Sequence, residues 1–362
     1  RKTLLIALDL VRAAVAASLP FVSEPWQIYA LMTALYIASA AFTPSFQAMI
    51  PDVLPNEQDY TKALSLSRLA ADLESVASPV LAALLLSVLS FHELFAGTAF
   101  GFVASALLVL AATIPALKRV ASRPFMRRLT VGLVLFLETP RLRGLMALSL
   151  ASAAGGAMAF VNTVVLIQSN FGLDQQATAW ALATFGLGSM IAAVSLPPLL
   201  DRFPDRLVML TGALVMAALL ALGPFLVRGY GSLATMWILL GAGYSMTLTP
   251  VGRVLRRSSA AEDRPALFAA HFALSHACWL VAYPVAGFVS ASLSINSAFL
   301  ALASLCFIGT IGAALAWPSR DSDRIAHRHD DLPEDHPHHA GAVETHSHAY
   351  VIDELHPRWP SQ

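Results

Sequence analysis

The chain has 362 residues, of which 57% are hydrophobic and 13% charged, with a formal net charge of zero and a mean hydropathy of +0.65. Soluble domains carry about 25% charged residues, so a deficit of this size excludes a soluble globular protein. The balanced charge gives no sign of a nucleic-acid partner.

A helix that crosses a bilayer needs about 20 mostly apolar residues at ~1.5 Å rise each. By that rule ten spans are predicted in chain order: 3–22, 27–50, 64–90, 94–115, 143–168, 176–200, 207–227, 230–250, 265–290 and 294–317. Alternating segments of about ten residues are absent, which excludes an outer-membrane barrel. The fold class expected is an all-α membrane protein. Its organisation is a bundle of four spans over 1–115, a central loop over 116–142, a bundle of six spans over 143–317 and a polar tail over 318–362, expected to be disordered.

The distribution of basic residues tests that count. Connections on the side of the N-terminus hold Lys62, Lys118, Arg119, Arg123, Arg127, Arg128, Arg141, Arg143, Arg202, Arg206, Arg253, Arg256, Arg257 and Arg264, while the opposite connections hold Arg228. A single wrong span would scramble this asymmetry. It predicts a multi-pass protein of the inner (cytoplasmic) membrane with the N-terminus, the central loop and the tail in the cytoplasm.

The two halves repeat at a spacing near 204 residues. "KTLLIALDLVRAAVAASLPF" from Lys2 aligns with "RLVMLTGALVMAALLALGPF" from Arg206, so that Pro20 and Pro224 coincide. Thr43-Pro44 then matches Thr249-Pro250, and "SPV" at Ser78 matches "YPV" at Tyr283. The second half opens with two spans that have no counterpart after Arg1. The repeat therefore predicts two further helices upstream, in a six-plus-six architecture of the kind transporters build from parallel repeats.

Several segments carry a more specific resemblance. "PPLLDRFPDR" (Pro197–Arg206) resembles the G-x-x-x-D-R-x-G-R-R loop signature of the major facilitator superfamily through Asp201, Arg202 and Arg206, and departs from it at Pro197, Pro204 and Asp205. "GLVLFLETPRLRGLMAL" from Gly132 and "MIPDVLPNEQDYTKALSLSR" from Met49 look like the branch of siderophore and multidrug exporters. "SPVLAALL" at Ser78 is similar to the antiporter motif of that family's fifth helix. The resemblance covers residues 1 to 317. It implies alternating access by rocking of two bundles about a central site, with Asp201, Arg202 and Arg206 as a gating loop.

Charges inside the bilayer cost about 2.5–3.5 kcal/mol each on insertion scales, so they must face the protein interior. Asp9 and Arg12 stand three apart on the first span and share a face; Arg68 and Asp72 are an i,i+4 pair on the third, with Glu74 two residues on. His271 and His276 lie in the ninth span, five residues apart and on different faces. Asn162 and Gln168 belong to the fifth. These nine residues are the candidates for coupling or substrate contact, with structural ion pairing and helix-to-helix hydrogen bonding as the alternatives. Cys278 and Cys306 fall in apolar runs without metal or redox spacing.

Eight of the eleven histidines lie in the tail. The clusters His327-x-His329, His336-x-His338-His339 and His346-x-His348 offer imidazoles suited to nickel, cobalt or zinc, although no spacing matches a closed zinc site. "YVIDELHPRW" at Tyr350 is long enough for one short docking turn.

No resident cofactor is expected beyond a divalent metal on the tail. Partners are the lipid bilayer, a small-molecule or metal substrate and protons as coupling ion, and a monomer is expected. The leading function is proton-coupled export of a small organic molecule. Divalent-metal efflux assisted by the tail and a non-transporting membrane sensor or scaffold are the alternatives. No phosphate-binding loop or nucleophile elbow suggests an enzyme.

Overall fold

A computed structural model describes residues 2–86, 88–113, 125–327, 346–352, 355–356 and 359–360. The helices are α1 (Lys2–Ser18), α2 (Pro25–Val53), α3 (Glu57–Leu86), α4 (Phe91–Ala111), α5 (Phe125–Glu138) and α6 (Pro140–Val164). They continue with α7 (Gln175–Leu200), α8 (Asp205–Leu226), α9 (Tyr230–Leu248), α10 (Val251–Arg257), α11 (Arg264–Ser292) and α12 (Ile295–Ala316). Two short strands follow in the tail, β1 (Arg324–His327) and β2 (His346–Ala349), paired antiparallel.

Local chemistry sets the helix ends. Ser90 and Glu93 form a reciprocal capping box at the start of α4, Asp174 accepts from the Ala177 N–H at 2.8 Å to start α7, and Ser294 does the same for α12 through Ser297. Each supplies an acceptor to N–H groups that have no partner inside the helix. Proline opens α2 and α6, where its missing N–H costs nothing. A π-helical turn over Val165–Asn170 ends α6, and Gly172, at φ 65°, turns the chain toward α7.

Among the described residues, each expected span falls on a helix. Among the described residues, eight helices are long and apolar enough to cross a bilayer. Of the others, α9 is diluted by Gly, Ser, Thr and Tyr, while the charges of α3 fall in its first 18 residues and leave an apolar stretch toward its C-terminal end.

Helices α1, α2 and α4 pack together with α3 alongside; α5 to α12 form a second, larger bundle. The repeat is visible in the packing, because α1 lies against α4 and α2 as α8 lies against α12 and α9. The main core belongs to the second bundle, where α6 is the most enclosed long helix and Trp237, Phe299 and Trp317 are fully buried. There the helices approach to backbone contact at glycines. A Cβ on Gly188 would fall 1.9 Å from the Ile238 carbonyl oxygen, and one on Gly241 2.0 Å from that of Phe185, so α7 and α9 cross without side chains between them.

Two expectations change here. The segment 116–142, read as a loop, carries α5 from Phe125. With 14 residues, α5 is too short to span, but its Val131, Leu135 and Phe136 pack on the second bundle's core, and a short amphipathic helix has no signal in a search for long apolar runs. The tail, read as disordered, has an ordered part. Tyr350 and Ile352 are buried in the second bundle's core cluster, with Ile325 and Trp359 packed against it.

Candidate translocation site

The two bundles meet along α3 against α7 and along α2 against α11. Between them lies a cavity of about 360 Å³, walled by α2 and α3 on one side and by the α9–α10 junction and α11 on the other. Phe42, Phe46, Leu64 and Phe268 give it an apolar wall, with Thr43, Gln47, Ser67, Arg68 and His271 among its polar groups.

Arg68 is the charged group on that wall. It forms a two-pronged ion pair with Asp72, one helical turn on, in which Nε donates to Oδ2 at 3.1 Å. The same Nε lies 3.2 Å from Ser189 Oγ on α7, and the guanidinium stacks 4.8 Å from the Tyr244 ring centre on α9. An arginine of the first bundle thus rests against two helices of the second. His271 stacks on Phe136 of α5 with ring centres 6.0 Å apart.

The remaining candidates do not converge there. Asp9 and Arg12 pair inside the first bundle; Ser105 Oγ donates to Asp9 at 2.9 Å, and the Arg12 guanidinium lies between the Phe42 and Phe102 rings. This brings α1, α2 and α4 together as a packing hub. Asn162 is fully buried and donates to the Ala286 carbonyl at 3.4 Å, tying α6 to α11. Gln168 sits in the π-helical turn, 3.4 Å from Thr178 Oγ1. His276 is exposed with Nδ1 2.7 Å from the Phe272 carbonyl, and Glu74 is exposed on α3.

Below the cavity, at the end that holds the basic connections, three arginines join the bundles. Arg264 of α11 pairs with Asp52 of α2. Arg253 of α10 reaches Glu57 at 2.7 Å and the Thr61 hydroxyl of α3. Arg256 donates to the Pro55 carbonyl and lies over the Tyr60 ring. Arg253 is anchored from behind by Asp205, which is 2% exposed. One Asp205 oxygen accepts from Arg253 Nε at 2.9 Å, and the other from Arg257 Nη1 at 2.8 Å.

The expected gating loop is therefore only partly engaged. Asp201 and Arg202 are exposed. Arg206 donates to the carbonyls of Trp317 and Ala314, capping the C-terminal end of α12. The carboxylate at the centre is Asp205, one of the positions where the loop departs from the family signature. Its partners Arg253 and Arg257 were legible only as a count of basic residues.

The tail closes over the same end. Arg257 also donates to Asp323 at 2.9 Å and lies 3.4 Å from Asp321, while Arg141, 1% exposed, contacts Asp323 at 2.7 Å and Asp321 at 3.3 Å. Burial alone would raise the Asp323 carboxyl, but the Arg141 bond and the Arg257 charge outweigh it and hold the pKa below the usual range. Burial likewise works against the charge on Arg257, and Asp323, Asp205 and Asp321 together push its pKa above the ordinary value.

Among the candidate metal ligands, His329, His336, His338 and His339 lie outside the described residues, as do Lys118, Arg119 and Arg123 of the central loop. The backbones of His327 and His346 pair across the β1–β2 ladder, and the His348 and His356 rings are 5.0 Å apart. Among the described residues no group of three or more His, Cys, Asp or Glu could hold a metal ion.

Comparison with known proteins agrees with this architecture. The Major Facilitator Superfamily model matches residues 145–342. The chain is 26% identical over 200 residues to the MFS-type transporter YfiS of Bacillus subtilis (strain 168), which covers 53% of this chain and 47% of that protein. It is 31% identical over 158 residues to macrolide efflux protein A of Enterococcus faecalis, covering 41% of this chain and 48% of the relative. It spans about half the length of these curated relatives. In structure it resembles the fucose:proton symporter FucP of E. coli, with a TM-score of 0.67 and 18% identity over 88% of this chain and 84% of the other. It also resembles the human organic anion transporter MFSD10, with a TM-score of 0.72 and 15% identity over 86% and 77%. With more than half of its length matched by the family and its fold shared with two of its transporters, this multi-pass membrane chain belongs to the major facilitator superfamily.

Proposed function

We propose that the protein is a secondary transporter that exports a small, largely apolar organic molecule by alternating access, with protons as the coupling ion. The observation that carries this reading is the cavity between the bundles, with side-chain bonds joining the bundles at one end of it. Its aromatic and aliphatic wall suits an apolar ligand, and Arg68 offers one charged contact for an acceptor group. The likeness to a macrolide efflux protein supports export, and the fold shared with a proton symporter is consistent with proton coupling.

In this account the basic end faces the cytoplasm of the inner membrane, in keeping with the positive-inside rule. The latches of Arg253, Arg256 and Arg264 then close the cavity to the cytoplasm, and breaking them opens it inward. Arg68 and Asp72 are the coupling pair. A proton on Asp72 removes the carboxylate that holds Arg68, which weakens the hold of α3 on α7 and α9.

The test is flux in vesicles carrying the protein as its gene encodes it, with a radiolabelled macrolide, ethidium and nickel as probes and an imposed proton gradient. Gradient-dependent movement of an organic probe, abolished by a protonophore, is expected. Movement of nickel alone would transfer the assignment to metal efflux, and no gradient-dependent flux above empty vesicles would refute transport of these classes.

A further inference from the structure

We propose that the C-terminal tail is a built-in clamp that holds the basic end of the carrier closed; this rests on the alternating-access reading above. The connection runs through side chains. Asp321 and Asp323 bind Arg257, Arg257 binds one oxygen of Asp205, and the other oxygen of Asp205 binds Arg253, which crosses to Glu57 and Thr61 of the other bundle. The clamp has its own seat. Arg141 is buried against Asp321, Asp323 and the ring of Trp359, with that ring centre 5.3 Å from its guanidinium. Trp317 Nε1 donates to Asp321 at 2.9 Å, and the Tyr350 N–H donates to the Asp323 carbonyl, joining the end of α12 and strand β2 to the same point. Trp359 and His356 both pack on Tyr350, with ring centres 5.2 and 4.6 Å away.

The direction of the effect follows from charge. With the tail seated, Arg257 shares its donors between Asp205 and the tail carboxylates, which leaves one Asp205 oxygen to orient Arg253 toward Glu57. When Asp321 and Asp323 leave, Arg257 and Arg141 lose their counter-charges at a partly desolvated site. Arg257 then turns both donor edges on Asp205 and displaces Arg253. Without Asp205 to orient it, Arg253 holds Glu57 and Thr61 of the first bundle less firmly. Tail release therefore favours opening at the basic end.

The test reads cavity access from that end. Ser67→Cys on the cavity wall, in a Cys278→Ala/Cys306→Ala background, is labelled in inside-out vesicles with a membrane-impermeant maleimide. The tail is released in two ways, by Asp321→Asn/Asp323→Asn and by Trp359→Ala, the second leaving the charges intact. Release is confirmed by protease sensitivity of the tail. Each variant is expected to raise the labelling rate about fivefold or more, the lower end of coupling between distinct sites. Arg264→Ala, which breaks a latch directly, is the reference. If Arg264→Ala accelerates labelling and the released tails do not, the clamp is wrong and alternating access stands. If none of the three accelerates it, both fall.

Discussion

Removing the charge of Asp205 should weaken the basic end more than any other single change there. Asp205→Asn keeps the shape and leaves the Arg253 Nε bond an acceptor, but it can place an amide N–H against the Arg257 donor that now lies 2.8 Å from Oδ2. The Asp205 side chain is 1% exposed, and those of Arg253 and Arg257 are 10% and 22% exposed, so water screens the pairs only in part. Breaking a buried pair by removing one partner costs about 3–5 kcal/mol. Because Arg253 keeps Glu57 and Arg257 keeps Asp321 and Asp323, the low end applies, about 3 kcal/mol, or roughly a hundredfold in an equilibrium constant. The assay is a denaturant titration of the purified protein in detergent, paired with maleimide access to Ser67→Cys. A loss within about 0.5 kcal/mol of zero, the range of neutral surface substitutions, together with unchanged access, would refute the idea that Asp205 organises this end.

Asp72→Asn should abolish proton-driven flux while leaving downhill exchange of the same probe, as measured in vesicles with and without a gradient; loss of both would make the residue structural. Gly241→Val should prevent a monodisperse product in size-exclusion chromatography, because its Cβ would fall 2.0 Å from the Phe185 carbonyl oxygen. Gly101→Ala, with nothing within 4 Å of the new Cβ, should be neutral or stabilising by up to about 1 kcal/mol. For the tail, the Asp323 carboxyl is held below its unfolded value, so its stabilisation is fully present above the unfolded pKa of about 3.9 and is lost as pH falls through the folded one. The fluorine NMR signal of fluorotryptophan at Trp359 should therefore be constant from about pH 5 to 8, with this carboxyl releasing it only below about pH 4; a transition near neutrality would remove Asp323 from control.

Sequence and structure agree where one physical signal dominates. Each long apolar run is a helix because bilayer thickness sets its length, and the Pro20/Pro224 match marks α1 and α8, which pack alike. Asp9–Arg12 and Arg68–Asp72 were legible because helical spacing alone brings them together. The partners Ser105, Ser189 and Tyr244 were not, since each lies on another helix more than 90 residues away. The basic residues revealed topology through their number but not their contacts. Asp205 was hidden for a different reason. Comparison with the signature emphasised the residues that match, Asp201 and Arg202, whereas burial selected one that does not. The tail's composition reads as solvated, and its order depends on Arg141, which looks in sequence like one more basic loop residue.

Transport as proposed requires the two bundles to separate and rejoin at the basic end. Spin labels at Gln58 and Glu262, both exposed and flanking the latches, measure this directly by pulsed electron–electron double resonance in nanodiscs. One short distance is expected for the resting protein, with a second, longer population when Arg264→Ala breaks a latch or when Asp72→Asn mimics a protonated Asp72. One unchanged distance in all three would contradict it.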